Sequence, residues 1–204
     1  MLAAGALLVI AAGCGDDDDG DGDRAQTSEE SQTTPTGPSV SPGGQIAEPG
    51  AIPRPRAGSL GEAAQAAGCE VRHPPIEGQG HVEGSVRYGS NPPTSGDHSP
   101  FPAEDGVYPK PPRPEELVHS LEHGRVVIQF DPAVGERVKG GLQALFQEDP
   151  YHVILAPSTT DMPYEVAATA WGHLLGCPET NDRVYDAIRA FRDRYRDKGP
   201  ERVP

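Results

Sequence analysis

The sequence predicts a small α+β domain, a mixed sheet with packed helices and room for a βαβ unit, preceded by a disordered tether. Three observations carry that expectation. Gly (25) and Pro (23) approach a quarter of the 204 residues, too many for a chain ordered throughout. A stretch dominated by Ser, Thr, Pro, Gly and Asp runs to about residue 58, and apolar periodicity resumes only after it. Beyond residue 114, β-branched runs alternate with helical stripes, strand–helix–strand included.

The elements follow in order. Residues 2–13 read LAAGALLVIAAG and end directly at Cys14. A membrane span needs about 20 apolar residues, so this run suits a signal-peptide core instead. Ala11-Ala12-Gly13-Cys14 resembles the lipobox of bacterial lipoproteins. The expectation is therefore a signal peptide over 1–13, lipidation at Cys14, and attachment of the chain to the membrane by that lipid. No Lys or Arg precedes the apolar run, a departure from the usual positive start. Residues 14–58 then read as an acidic disordered linker, with Asp16–Asp19 as a solvated spacer rather than a metal site.

A single globular domain is expected over 59–204. Ser59 and Glu62 have capping-box spacing and Gly68 is placed to stop a helix over 60–67. Residues 73–114 are rich in Pro and Gly, a length of loop that is usually functional or disordered. Pro114-Glu115-Glu116 opens a helix reaching His123, which Gly124 ends. Val126–Phe130 reads as a buried strand, 134–147 as a helix, and 151–156 and 165–170 as further strands. A last helix over 180–197 carries Val184, Ile188, Phe191 and Tyr195 as its apolar stripe.

Charge excludes some partners. The net charge is −14; residues 16–60 hold nine acidic and three basic side chains, residues 61–204 hold 22 and 14. Neither part offers the basic surface that nucleic acid requires, and anionic headgroups repel both. No feature identifies a protein partner. Of three cysteines, Cys14 is assigned to the lipid, which leaves Cys69 and Cys177 to pair as a disulfide.

Four of the seven histidines, His81, His98, His119 and His123, fall within 43 residues. His119 and His123 stand at i and i+4, so on a helix both imidazoles project from one face, a spacing that suits a divalent transition metal. His98 ends the proline-stiffened loop 91–98 and His81 lies in a glycine-flanked loop. His119-Ser120-Leu121-Glu122-His123 also matches H-x-x-E-H, in which Glu122 would be the general base of a zinc hydrolase. Against this, the helix stops at Gly124 and no second helix supplies a carboxylate ligand. The chain has no nucleophile elbow, phosphate loop or dinucleotide fingerprint.

Several strings carry a resemblance. Tyr88 with 91–98 (NPPTSGDH), Gly106-Val107-Tyr108, 118–124 (VHSLEHG), Thr169-Ala170-Trp171-Gly172 and Gly199-Pro200-Glu201 resemble the domain of unknown function 3105 over about residues 68–201. The resemblance implies that His81, His98, His119 and His123 converge; it supplies no substrate. Asp97 stands where the family more often has Pro. The expectation is thus an extracytoplasmic, lipid-anchored domain of unassigned role in the cell envelope. It binds zinc or copper through His98, His119 and His123, with His81 as fourth ligand. Its rivals are a metal-dependent hydrolase using Glu122, and a non-metal interaction module. Enzymatic activity stays open.

Overall fold

A computed structural model describes residues 43–202. The signal peptide over 1–13, lipidation at Cys14 and the linker up to residue 42 lie outside the described residues. Ten elements follow one another: α1 Leu60–Ala67, β1 Glu70–Arg72, β2 Gly106–Val107, α2 Pro114–Glu122, β3 Val126–Phe130, α3 Glu136–Glu148, β4 Val153–Pro157, β5 Val166–Ala170, β6 His173–Cys177 and α4 Val184–Tyr195. The class is α+β: six strands form one mixed sheet in the order β1-β6-β5-β3-β4-β2.

β3, α3 and β4 make the expected βαβ unit, with β3 and β4 parallel from Val126↔Val153 to Phe130↔Pro157. β5 and β6 form an antiparallel hairpin whose turn is Trp171-Gly172, and Gly172 there adopts φ +73°. β1, β2 and β6 were not legible as strands. β1 and β2 are three and two residues long, too short for a period-2 pattern, and the Leu-Leu-Gly-Cys of β6 does not alternate in polarity.

The sheet is covered on both faces. Val126, Ile128, Phe130, Val153, Leu155, Val166 and Ala168 turn to one face with Leu142, Leu145, Ile188 and Phe191 of α3 and α4. Val127, Ile154 and Ala156 turn to the other, where Leu117 and Leu121 of α2 and the ring of Tyr108 cover them. Strands buried on both faces read as continuous apolar runs, which is why VVIQF and VILAP look alike in sequence. The candidate chemistry sits on the α2 face.

α1 has the anticipated capping box, with Glu62 N–H donating to Ser59 Oγ at 3.3 Å and Ser59 N–H to Glu62 Oε2 at 2.8 Å. Cys69 and Cys177 form the expected disulfide, 108 residues apart in sequence, between the residues flanking the β1–β6 register. Among the described residues no helix is long and apolar enough to cross a membrane.

Residues 43–58, which the sequence reading assigns to the tether, lie along the domain. Gly44 N–H donates to Val107 O at 3.0 Å, Ile46 N–H to Gln143 Oε1 at 3.1 Å and Gly50 N–H to Gly140 O at 2.8 Å. Ile46 and Ile52 pack on the core. This segment explains Gly140 inside α3, and Tyr185 of α4 explains the neighbouring Gly141. A Cβ at Gly140 would meet Glu48 O at 2.7 Å, and one at Gly141 would run into the hydroxyl of Tyr185.

Candidate metal centre

α2 is the platform. Pro114 opens it, Glu115 and Glu116 sit at its positive end, and its buried face carries His119 and, one turn on, Glu122. Helix α2 ends at Glu122; His123 caps it and Gly124 turns the chain away at φ +85°. The Pro/Gly-rich loop lies against this face. His81 and His98 are joined by an isolated parallel bridge: His98 N–H donates to Gly80 O at 2.9 Å and Val82 N–H to His98 O at 2.8 Å. Asp97, unlike the proline more often expected there, accepts from Gly80 N–H at 2.9 Å and so ties the two histidine loops together. Tyr88 Oη donates to Asp97 O at 2.9 Å and spans the same loop.

Two groups of ligand atoms result. His81, His98, His119 and Glu122 each offer an atom within 4.8 Å of the others, and so do His119, His123 and Glu201. In the first group His98, His119 and Glu122 are buried and His81 is exposed. Glu122, rather than His123, completes that group, and His123 joins His119 through an Nε2–Nε2 separation of 2.9 Å. For comparison, two nitrogens about 2.05 Å from one tetrahedral zinc stand about 3.3 Å apart.

The hydrogen bonds settle which ring nitrogens are free. His98 Nδ1 is 2.9 Å from Gly96 O, and His119 Nδ1 is 2.6 Å from Ser99 O. A carbonyl oxygen only accepts, so both Nδ1 atoms carry the hydrogen, and in the neutral ring Nε2 is a bare lone pair. His98 is fully buried, and its Nε2 has no hydrogen-bond partner. It nevertheless lies 3.0 Å from Glu122 Oε2. The two facts are consistent: the carboxylate stands close but off the hydrogen-bonding direction, so a proton on Nε2 would not bridge them. With that ring neutral, its lone pair and the carboxylate lie close together in a buried site, an arrangement that a shared cation relieves.

Burial, together with His123, His98 and His81 nearby, lowers the pKa of His119 to about 4, against the pull of the Ser99 carbonyl. Burial likewise lowers that of His123, opposed by Glu201. Both imidazoles are therefore neutral near pH 7, the form that coordinates a metal. Trp171, the chain's one tryptophan, packs partly buried beside the site with its ring 6.1 Å from that of His98 and perpendicular to it.

Glu201 was not legible as a site residue. It reaches His123 because Gly199 lies flat on the end of α2, where any Cβ would collide with the Glu122 carbonyl. Glu201 N–H then donates to Glu122 O at 3.1 Å. His73, just past β1, and His173 of β6 stand apart from both groups as a pair, Nδ1–Nδ1 2.8 Å, with His173 stacked on Tyr195. His152 pairs with Asp197 at 2.6 Å.

Residues 81–203 match the family described as Protein of unknown function (DUF3105). The chain belongs to this family. All six candidate ligands fall inside the DUF3105 span, while Cys69, α1, β1 and residues 43–58 precede it. No curated protein and no solved structure matches the chain.

Proposed function

We propose that this DUF3105 chain binds one divalent transition metal ion, zinc or Cu(II), outside the cytoplasm, through His81, His98, His119 and Glu122. The observation that carries the reading is the buried, unpartnered Nε2 of His98 facing the Glu122 carboxylate at 3.0 Å. The supporting shell fits. Both buried histidines donate Nδ1–H to a backbone carbonyl, the bond that fixes ring orientation in metal-ligating imidazoles. Three imidazoles and one carboxylate suit a borderline ion, and the set has no sulfur to favour Cu(I).

Binding is favoured over metal-dependent hydrolysis. Glu122 stands at ligand distance of the cluster, and a coordinating carboxylate is not free to act as base. The disulfide belongs to an oxidising compartment, which supports an envelope location. Attachment through lipid on Cys14 rests on the Ala-Ala-Gly-Cys sequence, and mass spectrometry of the membrane-extracted protein would show diacylglycerol on Cys14 or its absence.

The test of metal binding uses the full-length protein and His98→Gln, a substitution chosen to keep volume. Elemental analysis is expected to give about one zinc or copper per wild-type chain and much less in the variant. Titration of Cu(II) should quench Trp171 in wild type alone, since that ring adjoins His98. Wild-type protein without metal, with melting indifferent to added ions and to chelator, would overturn the reading.

A further inference from the structure

His119 belongs to both ligand groups and has one nitrogen to give. Its Nδ1 is committed to the Ser99 carbonyl, so a single lone pair on Nε2 serves one ion at a time. An imidazole bridge between two ions would need both ring nitrogens. Two ions therefore cannot share this residue, and the two groups are alternatives. They also differ in access. His98, His119 and Glu122 are buried. The Glu201 side chain, by contrast, is 51% exposed and borders a cleft of about 370 Å³ with His123, Tyr151, His152 and Asp197.

We infer that His119, His123 and Glu201 form an outer seat for the same divalent ion, and that the ion passes between outer and inner seats by ligand exchange about His119. The inference rests on the reading of the inner group as a metal site. His123 Nε2 is 2.9 Å from His119 Nε2 and 3.4 Å from Glu201 Oε2, close enough to take hold of an ion before the inner ligands release it. Exchange of one ligand at a time avoids leaving the inner lone pairs and the buried carboxylate bare together. A solvated carboxylate is a weaker donor than imidazole toward borderline ions, which suits a transient seat. Glu201 is also fastened to the inner set, through its own N–H on the Glu122 carbonyl.

The experiment loads the full-length protein with Cu(II), mixes it with excess EDTA and follows the recovery of Trp171 fluorescence. Wild type is compared with Glu201→Gln and His123→Gln, and bound copper is counted beforehand. Each variant is expected to hold one ion but release it about tenfold more slowly, each tenfold being about 1.4 kcal/mol of barrier. One bound ion with release within about twofold of wild type in both variants would overturn the exchange path and route the ion over the exposed His81 edge, leaving the inner site standing. Loss of the ion in either variant would also overturn it, because the outer residues would then belong to the main seat. No ion in wild type would overturn the inner-site reading instead.

Discussion

At the scale of the residue, Glu122 separates a binding site from a merely packed one. No hydrogen bond to its side chain forms among the described residues, and its Oε2 lies 3.0 Å from Nε2 of His98. Glu122→Gln keeps the side chain's volume and removes its buried, unpaired charge. The metal-free protein should therefore melt higher, by about 2–4 °C for each kcal/mol of burial cost relieved. Metal affinity should fall in the same variant by more than the roughly 10–100-fold that follows loss of a ligand's hydrogen-bond partner. Calorimetry with and without zinc reads both effects; a lower metal-free melting temperature with unchanged affinity would make Glu122 a structural acid. The histidines of this centre were legible because i, i+4 spacing and motif strings mark them. Glu122 was not legible as a ligand, since sequence spacing shows which residues share a helix face but not which atom faces which. Glu201 gave no chemical signal. Its place follows from Gly199 lying against the Glu122 carbonyl, a contact between residues 77 positions apart whose partner cannot be read from the chain.

At the scale of the element, the strong periodic segments were legible and the weak ones were not. α1, α2, α3, α4, β3, β4 and β5 follow from caps and apolar stripes, with boundaries shifted by a few residues. β1, β2 and β6 are set by tertiary pairing rather than by pattern, and so is the docking of residues 43–58, whose composition is that of a linker. That docking reverses the expected sign of a helix substitution. In a free helix Gly→Ala stabilises by about 1 kcal/mol. Gly140→Ala should instead destabilise the full chain by about 1–3 kcal/mol, because its methyl meets the Glu48 carbonyl and the Gly50 backbone. Gly61→Ala, on an exposed face of α1 with nothing near the added carbon, should stabilise. In a chain starting at Ser59, Gly140→Ala should turn stabilising as well. Urea unfolding of the three pairs decides it; if Gly140→Ala destabilises both chain lengths equally, the segment is not what excludes the methyl.

At the scale of the whole molecule, two constraints act on opposite faces of one sheet. The disulfide closes a separation of 108 residues beside α1 and β6, on the face shared with α4. In the chain-entropy model a loop of that length contributes about 4–5 kcal/mol, a large share of the roughly 5–15 kcal/mol of an ordinary domain. The metal would instead join α2 to the two histidine loops on the other face, stabilising by about 2.7 kcal/mol at a hundredfold excess over Kd. Sites without shared partners act additively. Cys69→Ser/Cys177→Ser should therefore lower Tm by about 8–20 °C, and saturating zinc should raise it by about 5–11 °C in both the oxidised wild type and the cysteine-free variant. Scanning calorimetry of the four states measures the coupling directly. A zinc-induced rise that vanishes without the disulfide would mean that β1 and β6 transmit order across the sheet to the loop bearing His81. The site would then be one more consequence of the oxidised fold rather than an independent clamp upon it.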